Sequence, residues 1–90
     1  MKVRLAPKLV KKLKKQDVRI KNSFKSAIKL FSKDPNDPLL DNHPLQREWE
    51  GFSSIDITPD WRAIFEYKQV GDEIIAYFVA LGTHDELYGG

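Results

Sequence analysis

The side chains best suited to chemistry in this sequence are two histidines, an aspartate and an arginine: His43, Asp60, Arg62 and His84. Cleaving RNA at a phosphodiester requires a base for the ribose 2′-hydroxyl, an acid for the departing 5′-oxygen and a cation for the charge that builds on the phosphoryl oxygens. Histidine can fill either proton-transfer role, because its pKa of roughly 6.5 leaves both protonation states available near neutral pH. These four residues could therefore catalyse the reaction without a metal ion.

Two aromatic residues close to them in sequence, Trp61 and Tyr88, could stack on a nucleotide base, an interaction worth about 1 to 3 kcal/mol in single-stranded nucleic acids. Each candidate also has a structural interpretation. His43 can be a loop residue, Asp60 a turn former, Trp61 a core residue and Tyr88 a plug at the end of the chain. Only the combination of these residues points to chemistry.

Arg62 has a structural alternative of its own, an ion pair across the sheet with Asp56 or Glu66. Whether its side chain faces His84 depends on the register of a hairpin, and a shift of one residue would turn it to the other face. Sequence alone does not specify that register.

Periodicity and turn signals predict the elements that position these residues. Alternation over Lys2 to Leu5 indicates a strand, and Pro7 suits the first turn of a helix that we expect to end near Gln16. Asp17 suits the N-cap of a second helix. Its apolar residues recur with helical spacing: Ile20, Phe24, Ala27, Ile28 and Phe31. Three prolines between Ser32 and Pro44 predict that this helix ends near Lys33 and that a loop follows.

The second half of the chain has the pattern of strands separated by tight turns. The expected strands are Phe52 to Thr58, Trp61 to Lys68 and Glu73 to Leu81, followed by a helical turn from His84 to Tyr88. Turns are expected at Pro59-Asp60 and around Gly71-Asp72. The predicted order is β-α-α-β-β-β in a single domain over residues 1–90. This is an α+β fold, with a mainly antiparallel, twisted sheet packed against two N-terminal helices.

Charge is distributed unevenly along the chain. Residues 1–33 hold twelve Lys or Arg and one acidic residue, whereas residues 34–90 hold three Lys or Arg and twelve acidic residues. So dense a basic surface could bind RNA or DNA phosphates through counterion release, although a solvated helix face gives the same pattern. The lysines that we expect to dock on nucleic acid are Lys8, Lys11, Lys12, Lys14, Lys15, Lys21 and Lys25.

Composition excludes several classes of protein. There is no cysteine, and the two histidines are far apart in sequence, so neither a disulfide nor a zinc site is expected. No apolar run approaches the roughly 20 residues that span a membrane, and the basic N-terminus is not followed by the apolar core of a signal peptide. The sequence predicts a cytosolic protein with no cofactor and no membrane partner.

Several segments together resemble the YafQ branch of the RelE/ParE toxin superfamily. They are His43-Pro44-Leu45, Gly51-Phe52, Pro59-Asp60-Trp61 and the stretch from Leu81 to Tyr88. The expected element order and the lysine-rich helices also match that family, so the resemblance covers nearly the whole chain. It implies a toxin of a type II toxin-antitoxin pair, an endoribonuclease that enters the ribosomal A site and cuts the mRNA there. The implied partners are a cognate antitoxin, ribosomal RNA and mRNA.

The resemblance also implies roles for individual residues. His43, Asp60 and His84 match the acid/base positions of the family. Arg62 matches an arginine that RelE-like members use on the scissile phosphate, and Tyr88 matches an aromatic residue near the mRNA base. The tryptophan between Asp60 and Arg62 adjoins these positions, and the basic helices would dock on ribosomal RNA.

Two positions depart from the YafQ pattern. Asp56 stands where the pattern has a histidine, and Ala80 stands where it has an arginine. The first removes a possible proton donor and the second a cation, and losing one charge-stabilising group can lower a rate by roughly 10² to 10³. Two alternatives therefore remain open: a non-enzymatic ParE-like toxin that binds a protein target such as DNA gyrase, and an attenuated relative that keeps antitoxin binding.

Overall fold

A five-stranded sheet forms the centre of the computed structural model, which describes residues 1–89. The strands are β1 (Lys2–Leu5), β2 (His43–Pro44), β3 (Ser53–Asp56), β4 (Trp61–Val70) and β5 (Glu73–Thr83). Their order across the sheet is β1-β5-β4-β3-β2. β1 runs parallel to β5, and the other neighbouring strands are antiparallel. The predicted α+β class with a mainly antiparallel sheet is confirmed, and the two-residue strand β2 is an addition to it.

Three helices accompany the sheet: α1 (Pro7–Lys14), α2 (Val18–Lys33) and α3 (His84–Tyr88). Asp17 is the N-cap of α2, as predicted, and its carboxylate accepts a hydrogen bond from the Ile20 N–H at 3.0 Å. α1 ends two residues before the predicted Gln16. The N–H groups of Lys15 and Gln16 bond to carbonyls three residues back, which tightens the last turn before the extended Asp17 begins the next helix.

The main core lies between the N-terminal helices and one face of the sheet. α2 buries Phe24, Ala27 and Phe31, three of the five residues of the predicted stripe, and the other two, Ile20 and Ile28, are half-buried. The Phe31 ring packs edge-on against Phe65 and Phe78, with ring centroids 5.0 and 5.3 Å apart. Offset and edge-to-face aromatic pairs of this kind add to the free energy gained by burying the rings. This core holds α2 on one side of the sheet, so a site can form on the other side.

A β-bulge in β5 changes which of its residues face that core. Ile64 pairs with Ala80 but Phe65 pairs with Phe78, so Val79 is an extra residue opposite β4. Before the bulge, Phe78 packs in the core; after it, Leu81 does. Residues that alternate along a strand project from the same face, and so do residues directly opposite each other on paired strands. Because Leu81 packs in the core, Ala80 and Gly82 on either side of it project from the face away from α2.

On that other side, the loop after β2 packs against α3. The Trp49 indole N–H donates to the carbonyl of Leu87 at 3.1 Å, which ties the loop after β2 to α3. Trp49 also packs edge-on against Phe52, with ring centroids 5.5 Å apart. No helix within residues 1–89 is long and apolar enough to cross a membrane.

Candidate functional site

Strand pairing places most of the candidate residues on the face of the sheet opposite α2. Directly opposed residues in paired strands project to the same side. One row across four strands consists of His43, Ser54, Ile64 and Ala80. The adjacent row consists of Asp56, Arg62 and Gly82. His84 follows directly, and its backbone N–H donates to the Asp60 carbonyl at 3.2 Å. Arg62 and His84 are therefore neighbours on one face.

These residues form the wall of an open cleft of about 410 Å³. Its lining residues are Asp41, His43, Leu45, Arg62, His84 and Tyr88. Of the six candidates for catalysis and stacking, four meet in this cleft. The cleft therefore combines two imidazoles, a guanidinium and a phenol, the set of groups that proton transfer beside a phosphate requires.

The Arg62 guanidinium is held by Asp56, one of the two alternatives foreseen for an ion pair. The Nη1–Oδ1 distance is 2.6 Å, and the side chains are 21% and 31% exposed. Arg62 Nε is buried and has no hydrogen-bond partner among residues 1–89. A buried donor without a partner costs about 1 to 3 kcal/mol, so the unpaired Nε lowers the stability of the fold.

His43 is oriented by the loop that precedes it. Its Nδ1 lies 2.7 Å from the Asp41 carbonyl oxygen, which can only accept. Nδ1 therefore carries the proton, and Nε2 is the basic nitrogen of the neutral ring. The Asp41 backbone has positive φ (47°), a conformation that aspartate tolerates better than most residues.

His84 is positioned by α3, of which it is the first residue. Thr83 caps this helix through a capping box in which Glu86 Oε1 accepts the Thr83 backbone N–H at 2.8 Å and Thr83 Oγ1 accepts the Glu86 N–H at 3.2 Å. The imidazole packs edge-on against the Tyr88 ring, with centroids 4.6 Å apart. The Tyr88 hydroxyl is buried and has no hydrogen-bond partner in the part of the chain that the structure describes.

Asp60 and Trp61 lie beside the cleft rather than in it. They line an adjacent depression with His84, at the turn between β3 and β4. Thr58 Oγ1 accepts the backbone N–H groups of both residues, which holds the turn. Asp60 is exposed, and Trp61 packs partly against the core, so both structural interpretations from the sequence apply as well.

The lysines proposed to dock on nucleic acid lie on or just after α1 and on α2, and Lys12 is distinguished among them by its contacts. Lys12 is partly buried beside the candidate site. Its Nζ lies 3.4 Å from Glu86 Oε2 and 5.7 Å from the centroid of the Trp61 ring. Its ammonium therefore contacts both a carboxylate and an aromatic ring at the edge of the site.

Sequence reasoning missed three contributors to the site. Asp41 and Leu45 line the cleft, and Asp41 sets the His43 tautomer. Leu45 belongs to the His43-Pro44-Leu45 segment that carries the family resemblance, whereas nothing in the local pattern distinguishes Asp41 from an ordinary loop residue. The third contributor is the Thr83–Glu86 capping box, which could have been predicted from its sequence signature Thr-x-x-Glu. Within residues 1–89, no group of three or more His, Cys, Asp or Glu side chains is placed to hold a metal ion.

The fold is that of the RelE/ParE toxins. It matches YafQ from E. coli strain BL21(DE3) with a TM-score of 0.75 and 25% identity, over 97% of each chain. It matches a YoeB/ParE toxin from Agrobacterium tumefaciens with a TM-score of 0.74 and 20% identity, over 93% of this chain and 99% of that one. YafQ in the E. coli DinJ-YafQ complex matches with a TM-score of 0.68 and 23% identity, over 97% of each chain.

The family itself follows from the sequence comparison. The family described as the bacterial toxin of type II toxin-antitoxin system, YafQ, matches residues 4–89, and the chain belongs to this family. The resemblance noted from the motifs is thereby confirmed. A comparison with curated proteins gave no significant match.

Proposed function

We propose that this toxin is a ribosome-dependent endoribonuclease that cleaves mRNA by metal-independent acid–base catalysis. The observation that supports it best is the convergence of His43, Arg62, His84 and Tyr88 on one cleft, although they come from three different elements, β2, β4 and α3. A ParE-like poison that acts by binding a protein target would have no need of two histidines beside an arginine.

In the proposed reaction, His43 Nε2 takes the proton of the ribose 2′-hydroxyl. The 2′-oxygen attacks phosphorus, the bond from phosphorus to the 5′-oxygen breaks, and protonated His84 gives a proton to the leaving oxygen. The products are a 2′,3′-cyclic phosphate and a 5′-hydroxyl end. Arg62 would stabilise the charge on the phosphoryl oxygens. Asp60, which lines the adjoining depression with His84, would be a further acid–base group of the site.

The aromatic groups and the basic helices would position the substrate. Tyr88 lines the cleft and Trp61 the adjoining depression, so either ring could stack on a base next to the scissile phosphate. Of the proposed docking lysines, Lys21 and Lys25 lie on α2, which packs against the opposite face of the sheet, whereas Lys8 and Lys12 of α1 line a depression that contains Ala80. Docking on ribosomal RNA through α2 would therefore use a different surface from cleavage.

A cognate antitoxin is the expected protein partner, as the DinJ-YafQ complex illustrates for the E. coli toxin. Its binding segment is expected to be acidic or amphipathic and to cover the basic helices or the cleft, because the surface of α1 and α2 is strongly positive. A complex whose stability did not change in high salt would contradict the electrostatic part of this expectation.

The test is to add purified toxin to a reconstituted translation system and to map new mRNA ends. Wild type should produce 5′-hydroxyl ends within the ribosomal A site, and His84→Ala should lower the cleavage rate by about 10² or more. Asp72→Asn, at the hairpin turn at the other end of β5, is the control. Cleavage by His84→Ala at the wild-type rate would overturn the proposal, as would growth arrest with DNA damage and intact mRNA.

A further inference from the structure

Lys12 on α1 places its ammonium against strand β5. A Cβ built on Gly82 would stand only 3.0 Å from Lys12 Nζ and 3.2 Å from Glu86 Oε1. Glycine at this position therefore leaves room for the Lys12–Glu86 ion pair against β5. Gly82 is directly opposite Arg62, and such residues have Cα atoms about 4.5 to 5.5 Å apart. The ammonium thus lies beside the strand position next to Arg62.

Two further contacts place the same ammonium at the edge of the candidate site. It lies over the ring of Trp61, and its partner Glu86 is two residues after His84 on α3. Lys12 also lines a depression that contains Ala80, the position where the YafQ pattern has an arginine. The Lys12 ammonium, supplied by α1, is therefore a cation close to the position where the YafQ pattern has an arginine and this chain has Ala80.

We propose that Lys12 binds a phosphate of the RNA at or next to the scissile position, and that Glu86 holds and neutralises it until RNA displaces the carboxylate. The proposal rests on the endoribonuclease function proposed above. Lysine binds phosphate as a point charge on a flexible stem, and the Lys12 side chain is only about one-third exposed, so its position is partly set before RNA arrives. A substrate phosphate would take the place of the carboxylate as the anion beside the ammonium.

The matched control is Lys68, which has similar surroundings at the other end of the sheet. Its Nζ lies 5.1 Å from the centroid of the Tyr77 ring and 4.0 Å from Glu66 Oε2. Lys12→Met and Lys68→Met therefore remove the same kinds of interaction, but only the first removes a cation from the edge of the cleft. Lys12→Arg restores the charge.

The experiment measures mRNA cleavage on the ribosome as kcat and KM, with thermal melting of each variant. Lys12→Met should lower kcat/KM by about 10- to 100-fold, the loss expected for one hydrogen bond to a charged group. Lys12→Arg should recover most of the activity, and Lys68→Met should stay within about twofold of wild type. Equal rates for the two methionine variants would overturn the proposal. If His84→Ala is inactive in the same assay, equal rates for the methionine variants contradict only the role of Lys12 and leave the proposed nuclease function unaffected.

Glu86→Gln gives an independent test, because glutamine keeps the capping box but removes the charge. It should raise kcat/KM several-fold by releasing Lys12, and the gain should vanish in the Lys12→Met background. A gain that persisted without Lys12, or no gain at all, would show that Glu86 does not restrain this lysine. If Lys12→Met fails to fold, Lys12→Gln serves as the second background, since it also removes the charge.

Discussion

At the scale of single residues, the Asp56–Arg62 ion pair determines how the guanidinium at the cleft is held. The carboxylate replaces a histidine of the YafQ pattern and lies 2.6 Å from the guanidinium that faces the cleft. The pair stabilises the fold, since Arg62 is largely buried and would otherwise lack a partner. It also competes with any phosphate for the same cation. The departure at Asp56 therefore bears on Arg62 as well as on proton transfer.

Asp56→Asn should separate these two effects. We expect cleavage to rise several-fold, because the guanidinium becomes free to bind the phosphate, while the free energy of unfolding falls by about 1 to 3 kcal/mol because a charged hydrogen bond is removed. Rates come from the mRNA assay and stabilities from urea titration. Asp37→Asn, in the loop before β2, serves as control. A fall in cleavage would instead assign Asp56 itself to the reaction.

At the scale of elements, the five-residue helix α3 is held mainly by its cap. So short a helix is not stable on its own hydrogen bonds, and the reciprocal bonds between Thr83 and Glu86 fix its first turn. The hydrogen bond from the Thr83 backbone N–H lowers the pKa of Glu86 below its ordinary value, and the nearby Lys12 ammonium acts in the same direction against the opposing effect of burial. His84 and Tyr88 depend on this cap for their positions.

The lowered pKa of Glu86 predicts a dependence of stability on pH. A carboxyl with a depressed folded-state pKa contributes stability above its ordinary pKa, and this contribution is lost as the pH falls through the lower, folded-state value. Wild type should therefore lose more stability than Glu86→Gln between about pH 5 and pH 3. The difference should stay below about 1 kcal/mol, because Glu86 is half exposed. Thermal melts of both proteins across this range measure it, and parallel curves would contradict it.

At the scale of the whole molecule, the basic helix α2 and the candidate cleft lie on opposite faces of the sheet. The basic residues come from α1 and α2, whereas the cleft is formed by β2, β4, α3 and the loop residues beside them. A nucleic acid that contacts both the basic helices and the cleft must extend around the protein, as ribosomal RNA could. Lys12 contacts both regions, because its backbone belongs to α1 and its ammonium lies over the ring of Trp61 at the edge of the site.

This separation predicts a salt-dependent docking step. The double variant Lys21→Gln/Lys25→Gln should weaken ribosome binding and reduce the slope of log affinity against log salt by roughly 0.7 to 0.9 for each phosphate that the toxin no longer neutralises. Binding is measured by sedimentation at several salt concentrations. The matched control is Lys29→Gln/Lys33→Gln, further along the same helix. If both double variants changed the slope equally, docking would depend on total charge rather than on these positions.

Much of the fold follows from local signals that the sequence carries. The Asp17 cap and the apolar stripe of α2 are encoded within a few turns of helix, and the turns at Pro59-Asp60 and Gly71-Asp72 delimit the strands. The contrast in charge between residues 1–33 and 34–90 is likewise a property of the sequence alone. The short strand β2 was missed because two residues give no period, and only its pairing with β3 defines it.

Tertiary structure decided which side chains share the cleft. Side chains in a strand alternate with period two, so a one-residue change of register exchanges the two faces. The bulge at Val79 makes that change within β5, turning Gly82 to the face of Arg62 and away from Phe78. Whether Arg62 faced His84 could not be read from the sequence, because the register depends on pairing between strands and not on the local pattern. The same pairing set Arg62 opposite Asp56 and left the space at Gly82 that Lys12 occupies.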